Sequence, residues 1–414
     1  MKANIAERPA HVPPERVVDF DYLAPPGHQE DVQMAWHSLH AEGIPDIVWT
    51  PRHGGHWIPT RADDIDLMQR DYENFSNATA SIPPDPTGFR RAPLELDPPE
   101  HALYRALLNP RFGPQQVQAM KGDVLELTNA LIDDFIDRGE CEFVSEFAKR
   151  LPVDIFLRLV NLPLEDRQEL LDITEASVRP ANLEQRLEAG DRLDAYCERW
   201  IAKRRAEPGD DLFSLIVNAK IEGKPMSDER TRGMLQIVLF GGLDTVASAL
   251  SFITRFLAEN PGHRKQLIEH PEIIPQAIEE FLRRFGIPQN ARTVQRDMTY
   301  KGVAFKKGDL VLLAKALHGL DEKRYANPLA VDFNRKPRDH AAFGGGVHRC
   351  VGAALARREL QIFLEEWLRR IPEFAVKPGA RPVTASGGVN GMLRLPLVWR
   401  REVDSVGAAT RKHA

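Results

Sequence analysis

Residues Ala341–Glu359 read AAFGGGVHRCVGAALARRE. Three glycines, a histidine and an arginine lead into Cys350, and a helical pattern, VGAALARRELQIFLEEWLRRI, follows from Val351 to Ile371. A free cysteine at such a junction can be a small buried hydrophobe. Glycines ahead of a helix also suggest a phosphate cradle. GGGVHRC, however, lacks the Lys-Ser/Thr pair of a P-loop, and no clear strand precedes it. A cysteine nucleophile is a third reading. The local physics favours a metal ligand. Glycines let backbone amides approach a sulfur, and the positive end of the following helix favours thiolate. Phe343 can shield one side from water, with Arg349 and His348 adding cationic character.

A thiolate of this kind suits the axial position of a haem iron, where it pushes electron density toward O–O cleavage. The rest of the chain narrows the field. It has 414 residues, 43% hydrophobic and 28% charged, as soluble globular proteins do. A net charge of −5 gives no global basic field, so nucleic acid is not an expected partner. Three cysteines, Cys141, Cys197 and Cys350, are too scattered for a disulfide framework or a Cys-His zinc site, and suit a reducing compartment. The opening MKANIAERPAHVPPER has neither an apolar core nor a small-residue cleavage site. The most apolar run, Met234–Leu257, carries Asp244 and a Gly-Gly pair at its centre, which favours a core helix over a membrane span. The expectation is a cytoplasmic protein with no membrane contact.

No repeat or Gly/Ser linker divides the chain, so residues 1–414 are read as one domain. Residues 1–30 form an irregular arm, and about 40–90 and 290–400 hold the β-rich parts. DIVWTPRHGGHWIPT, Asp46–Thr60, places β-prone runs either side of a Gly-Gly turn. VAFKKGDLVLLAKA, Val303–Ala316, turns at Lys-Lys-Gly-Asp, and short strands end the chain near LRLPLVW. Helical periodicity begins at DPPEHALYRALLN. It continues over Val117–Asp137, Pro163–Ser177, Leu183–Arg205, Asp228–Asn260, Pro261–Glu269 and Ile273–Phe285. The fold class is mainly α with small β-sheets.

Two further patterns stand out. Glu280 and Arg283 in EEFLRR are three apart, so their side chains can meet on a helix, although surface pairs of this kind are common. GGLDTV, Gly241–Val246, interrupts a long helix with two glycines that each cost about 1 kcal/mol against alanine. Close helix packing, with Thr245 back-bonding one turn earlier, is the plain reading.

FGGGVHRCVG, Phe343–Gly352, resembles the haem-binding loop of cytochromes P-450. The likeness runs from about Asp19 to Trp399. It is similar above all to the bacterial camphor 5-monooxygenase group, where GGLDTV, DPPEH, DIVWT…GGHWI and LPLVW have counterparts in the same order. The resemblance implies the cytochrome P-450 fold, with haem b between the long central helix and the Cys350 helix. It implies Cys350 as the thiolate ligand. Gly241 and Gly242 would loosen a turn for O2, Thr245 would hydrogen-bond the oxygen-derived ligand and its waters, and Asp244 would relay protons from solvent. It places Arg105, Arg292 and His348 on the haem propionates, with His101 a further candidate one helical turn before Arg105. Glu280 and Arg283 join Arg335 in a buried network that serves folding and haem retention.

The implied reaction is monooxygenation: O2, two electrons and two protons give hydroxylated product and water. The electrons would come from a [2Fe–2S] ferredoxin, itself reduced by an NAD(P)H-dependent flavoprotein, since no nucleotide fingerprint is present. Its docking face would use Arg111, Arg338, Arg349, Arg357 and Arg358, while Ala102 replaces a docking arginine of the camphor enzyme. The protein is expected to be a monomer. In the substrate pocket Phe89 falls where that enzyme has a substrate-gripping tyrosine, and Val178 where it has a threonine. Ile237, Phe240 and Val389 complete the expected lining. Phe cannot donate a hydrogen bond, so the expected substrate is a small hydrophobic terpenoid or norisoprenoid oxidised at an unactivated C–H. A peroxide-driven haem-thiolate enzyme and a non-catalytic haem sensor are the alternatives. The adjacent acid and alcohol of Asp244–Thr245 argue against both.

Overall fold

The computed structural model describes residues 4–85, 88–336 and 339–400. Helices dominate. Among the described residues the strands form one five-stranded sheet, one three-stranded sheet and three two-stranded ribbons. The hairpin expected within Asp46–Thr60 forms: Ile47–Thr50 pairs antiparallel with His56–Pro59, with Trp49 opposite Trp57. LPLVW also becomes a strand, Pro396–Trp399, between Phe374–Val376 and Glu140–Glu142.

The second β-rich patch departs from the simple hairpin reading. The chain turns after Val303–Phe305, but that strand pairs with Met298–Tyr300. Leu310–Ala314 instead enters the five-stranded sheet between His56–Pro59 and Gln289–Val294. The reason is burial. Leu310–Ala314 is apolar on both faces and nearly all buried, which demands a central position, whereas the shorter strand alternates and suits a ribbon.

Four helices escaped the sequence reading, Ala62–Arg70, Arg150–Leu159 and the shorter Leu212–Val217 and Lys315–Gly319. The arm expected to be irregular through residue 30 already contains the start of the His28–His37 helix. The single helix expected over Asp228–Asn260 is two, Asp228–Leu243 and Thr245–Glu259, broken at Asp244, whose φ of −123° and ψ of −34° leave the helical well. Asp228–Glu259 is long and apolar enough to cross a membrane, yet 72% of its apolar window is buried inside the protein.

The break at Asp244 has a packing meaning. Met234, Leu235, Leu239 and Leu243 pack in one hydrophobic cluster with Tyr196, Trp200 and Phe213. Val246, Leu250, Ile253 and Leu257 belong to another, built around Trp57, Phe281, Phe363 and Trp367. The helix thus passes from one core to the other at the point where it breaks. The cysteine loop straddles the same seam, with Phe343 packed on the second of these clusters and Val351 on the first.

Candidate active site

Cys350 is exposed, at the edge of a hollow of about 450 Å³ lined by Arg105, Asn109, Arg349, Val351 and Arg357. Its amide donates to the Phe343 carbonyl at 2.8 Å, closing the loop into a ring. The glycines act differently from the expectation that they bring amides to the sulfur. Gly344 and Gly346 take positive φ of 67° and 64°, and Gly345 fits against the helix Ala62–Arg70, where a Cβ would meet Gln69 Nε2 at 2.9 Å. The amides aimed at Sγ are those of Gly352 and Ala353, at the start of the helix Ala353–Arg370. Crowding by protein atoms pushes the thiol up; the Gly352 amide, Arg105, Arg357 and the Ala353 amide draw it back toward thiolate.

Behind the loop, Glu280, Arg283 and Arg335 meet in a buried network. Glu280 accepts from Arg283 Nε and Nη2 at 2.8 Å each, from Arg335 Nε at 2.9 Å and from the Asp332 amide at 2.9 Å. The remaining guanidinium donors reach the carbonyls of Gly319, Ala326, Asn327, Pro328 and Ala330. The helix containing Gly319 approaches so closely that a Cβ there would lie 1.8 Å from the Arg283 carbonyl.

A second basic cluster has the opposite character. His101 and His348 meet with ring centroids 4.3 Å apart and planes tilted by 54°, and the Nε2 of each is buried without a hydrogen-bond partner. Arg292 is buried with its Nε equally unpartnered, while its Nη1 donates to the Ala291 carbonyl beside it. Burial pulls Arg292 down to about 10 and, aided by His101 and Arg292, takes His348 down to about 3. His101 is also lowered, first by burial and then by Arg105. Arg105 itself is turned toward the Arg349 carbonyl and Asn109, with 2.8 Å to Asn109 Oδ1.

On the opposite side of the seam, the break after Leu243 carries the acid and the alcohol. Both Asp244 oxygens are held by Arg179, at 2.9 and 2.5 Å. Arg179 also grips Glu175 at 2.7 and 2.9 Å and the Val389 carbonyl at 3.0 Å. Burial pushes Glu175 up, but Arg179 and Lys149 overcome it and hold the carboxyl at about 2. Thr245 donates to the Gly241 carbonyl at 3.4 Å, the back-bond of the plain reading. The two glycines divide their work. A Cβ at Gly241 would meet nothing within 4 Å, whereas one at Gly242 would lie 2.2 Å from the Phe156 ring. Gly242 therefore answers to packing and Gly241 to the open side.

That open side is a stripe. Ile237, Phe240 and Gly241 are half-buried or exposed on a helix whose neighbours Leu235, Val238, Leu239 and Leu243 are buried, and half-buried Thr245 follows just past the break. Phe89 stands at its N-terminal end, with its tip 3.4 Å from a Cβ built on Gly233. Its ring is flanked by the guanidinium groups of Arg91 and Arg232, at 5.3 and 5.1 Å. Val178 and Val389 are brought together by the Gly388 amide, which donates to the Val178 carbonyl at 3.1 Å, and by Arg179.

A family model described as Cytochrome P450 matches residues 153–396. The chain is 36% identical to the "Probable cytochrome P450 127A1" of Sinorhizobium fredii, over 94% of this chain and 96% of that protein. The chain belongs to the cytochrome P450 family. It is 32% identical to the "Steroid C26-monooxygenase" of Mycolicibacterium smegmatis, over 80% of this chain and 84% of that one. Among solved structures, cytochrome P450 CYP101C1 superposes with a TM-score of 0.85 at 38% identity, covering 95% of this chain and 100% of that chain. This P450 is a monooxygenase of the bacterial, camphor-type group, its cofactor haem b with a cysteine thiolate axial ligand, and it works with O2 and a redox partner.

The residues fit that cofactor. Haem brings two carboxylates, and the structure offers three buried nitrogen atoms, on His101, His348 and Arg292, with no partner in the protein. One expected docking residue is otherwise engaged: Arg357 is held bidentate by Glu279 at 2.6 and 2.8 Å and covers the Phe343 ring at 4.4 Å. Arg338 lies outside the described residues. Arg179 escaped the sequence reading, because nothing in EASVRP signals a partner 65 positions away. Lys315 escaped it too, although a lysine inside the apolar run LVLLAKAL was a visible signal.

Proposed function

We propose that this P450 hydroxylates an unactivated C–H bond of a small hydrophobic terpenoid or norisoprenoid, with electrons from a [2Fe–2S] ferredoxin and its NAD(P)H-dependent flavoprotein reductase. The carrying observation is the half-open apolar stripe of Ile237, Phe240 and Gly241, which runs into Thr245 and Asp244 on an otherwise buried helix. Residues 1–414 act as one soluble, cytoplasmic unit in this reading. Cys350 is the thiolate ligand, and Arg105, Arg292, His101 and His348 receive the propionates while Phe343 shields the sulfur.

Haem held by a thiolate supplies the activation of O2 for insertion of one oxygen atom into the C–H bond. This chain's residues do the rest. Ile237, Phe240, Val178 and Val389 hold the substrate by apolar contact, and Phe89 closes the end of the stripe. Asp244 accepts a solvent proton at a carboxylate oxygen once one Arg179 contact opens, and the Thr245 hydroxyl, released from the Gly241 carbonyl, passes it inward. Arg111, Arg349 and Arg358 present positive charge near the hollow beside Cys350 to an acidic ferredoxin.

The test combines binding with turnover. A terpenoid panel is expected to contain compounds that shift the Soret band to the high-spin position, while camphor, lacking a hydrogen-bond donor at Phe89, shifts it only partly. NADH consumption should couple to product only with a ferredoxin pair, and Thr245→Ala should keep consuming reductant while releasing peroxide. Tight camphor binding with a full shift sinks the substrate reading; a fully coupled Thr245→Ala sinks the relay.

A further inference from the structure

Lys315 is the one buried lysine among the described residues, 2% exposed, in the apolar run LVLLAKAL of Leu310–Leu317. An ammonium carries three donors and no acceptor. Here it makes one hydrogen bond, 3.1 Å to the neutral Oε1 of Gln69. The acid nearest in the network is already engaged: Asp66 takes the Gln69 amide at 2.7 Å and faces His318 Nε2 at 3.3 Å. No ion pair to a carboxylate is made by Lys315 among the described residues. An unpaired buried ammonium is costly.

Register explains what Lys315 faces. Leu310–Ala314 pairs antiparallel with Gln289–Val294, with Val311 opposite Arg292 and Leu313 opposite Asn290. Lys315 opens the helix Lys315–Gly319 directly after extended Ala314, its amide 3.4 Å from the Pro288 carbonyl, so its side chain leaves the strand end on the face that carries Arg292. Two buried cations on one face repel each other. Burial first, and Arg292 second, pull the Lys315 ammonium down to about 7. Around Arg292 lie His101 and His348 with their own unpartnered nitrogens. The imidazoles are neutral, and Asp97 and Asp66 act on the group through space, but no carboxylate hydrogen-bonds Arg292 or Lys315 among the described residues. Gln69 connects Lys315 to the cysteine loop, because it is the same side chain that packs on Gly345.

We propose that Lys315 is a further haem-binding residue, whose ammonium pairs with a haem propionate carboxylate on the sheet face it shares with Arg292. The inference rests on the haem placement proposed above. Its chemistry is specific: the ligand is a carboxylate of the cofactor, held by a charge-assisted hydrogen bond, and Gln69 fixes the ammonium from the other side.

The experiment uses the full chain with Lys315→Met and Lys315→Gln, each loaded with native haem or with haem whose two propionates are methyl esters. Two quantities are read: the rate of haem transfer to excess apomyoglobin and the ferric/ferrous midpoint potential. With native haem, Lys315→Met is expected to release about tenfold faster, the size of a lost charge-assisted hydrogen bond, and its midpoint moves negative because a cation near the iron is gone. Lys315→Gln falls between. With the diester, wild type and both variants release at one rate. An unchanged native-haem rate in Lys315→Met overturns the proposal, and so does an equal change with the diester. The haem-free Lys315→Met protein should unfold at no lower denaturant concentration than wild type; a clear drop marks Lys315 as structural and also overturns it. The reduced carbonyl spectra of wild type and Cys350→Ser report on haem placement separately. If only the placement is right, the thiolate band is present and depends on Cys350 while Lys315→Met changes nothing.

Discussion

Two buried cation-rich clusters lie close to the cysteine loop, and they differ in one respect. Around Glu280 every guanidinium nitrogen of Arg283 and Arg335 donates to a carboxylate or a carbonyl. Around Arg292 the imidazoles of His101 and His348, the Arg292 Nε and the Lys315 ammonium have unpartnered or underused donors. Burial costs the same physics in both places. The first cluster is complete within the protein, as a group kept for the fold would be; the second has donors that only anions from outside the chain would complete, as the proposed haem placement requires. Satisfaction of hydrogen bonds, more than charge or burial, separates structural from binding residues here.

The largest effect should come from breaking the complete cluster. Arg283→Met leaves Glu280 buried with Arg335 as its one remaining cation and frees the Gly319 and Pro328 carbonyls that Arg283 now satisfies, while Ala330 keeps its bond from Arg335. Loss of one member of a buried pair costs about 3–5 kcal/mol, enough to remove much of a domain's stability. Denaturant unfolding of the haem-free chain should show it. Loss of stability confined to the haem-loaded protein would place this triad with the binding cluster and erase the contrast.

The sequence made the two ends of this contrast unequally visible. Cys350 and its glycines announced themselves, and Glu280–Arg283 sat at helical spacing, though only the family resemblance brought in Arg335 from 52 positions beyond Arg283. Neither pattern revealed what the partners are, because carbonyls of Gly319, Pro328 and Ala330 carry no side-chain signature. Asp244 was legible as an acid beside an alcohol, but its clamp Arg179 and the break between two cores depend on tertiary packing. The helix Ala62–Arg70, with its acids at Asp63, Asp64 and Asp66, reads as loop until Gln69 and Arg70 are seen to back the glycines of the cysteine loop. Likewise the turn in Val303–Ala316 was readable while its strands' partners were not, since pairing is decided by which strand needs burial on both faces.

Glu359 sharpens the comparison from the other sign. It lies buried on the helix that follows Cys350, with Oε2 unpartnered, and burial alone pushes its carboxyl up to about 8. The unfolded chain releases this proton near 4.5 while the folded chain keeps it. Stability is therefore fully present below about pH 4.5, falls as pH rises toward 8 and levels off above it. Between pH 5 and 7 the loss should be about 2–3 kcal/mol. Glu359→Gln removes the titration, so its unfolding free energy should stay flat over that window relative to wild type. Parallel pH profiles would mean that Glu359 has a cation or solvent within reach.

The smallest effects come from the two glycines at the helix break, and they should carry opposite signs. Gly242→Ala drives a methyl into the Phe156 ring, where the approach is 2.2 Å, and overpacking of this kind costs about 1–3 kcal/mol. Gly241→Ala adds a methyl where nothing lies within 4 Å, and the helix gains up to about 1 kcal/mol from the lost glycine. Thermal unfolding of the haem-free variants checks both signs. The gain at Gly241 is expected to have a cost elsewhere, since the methyl enters the open stripe beside Thr245 and its carbonyl partner. Gly241→Ala should thus be more stable and bind large terpenoids less tightly, whereas Gly242→Ala should lose stability with binding in the remaining folded protein unchanged. A Gly241→Ala protein that is stabilised and binds the same panel with the same affinities would show that this open face is plain surface, and the contrast between a residue kept for packing and one kept for a ligand would end at the helix break.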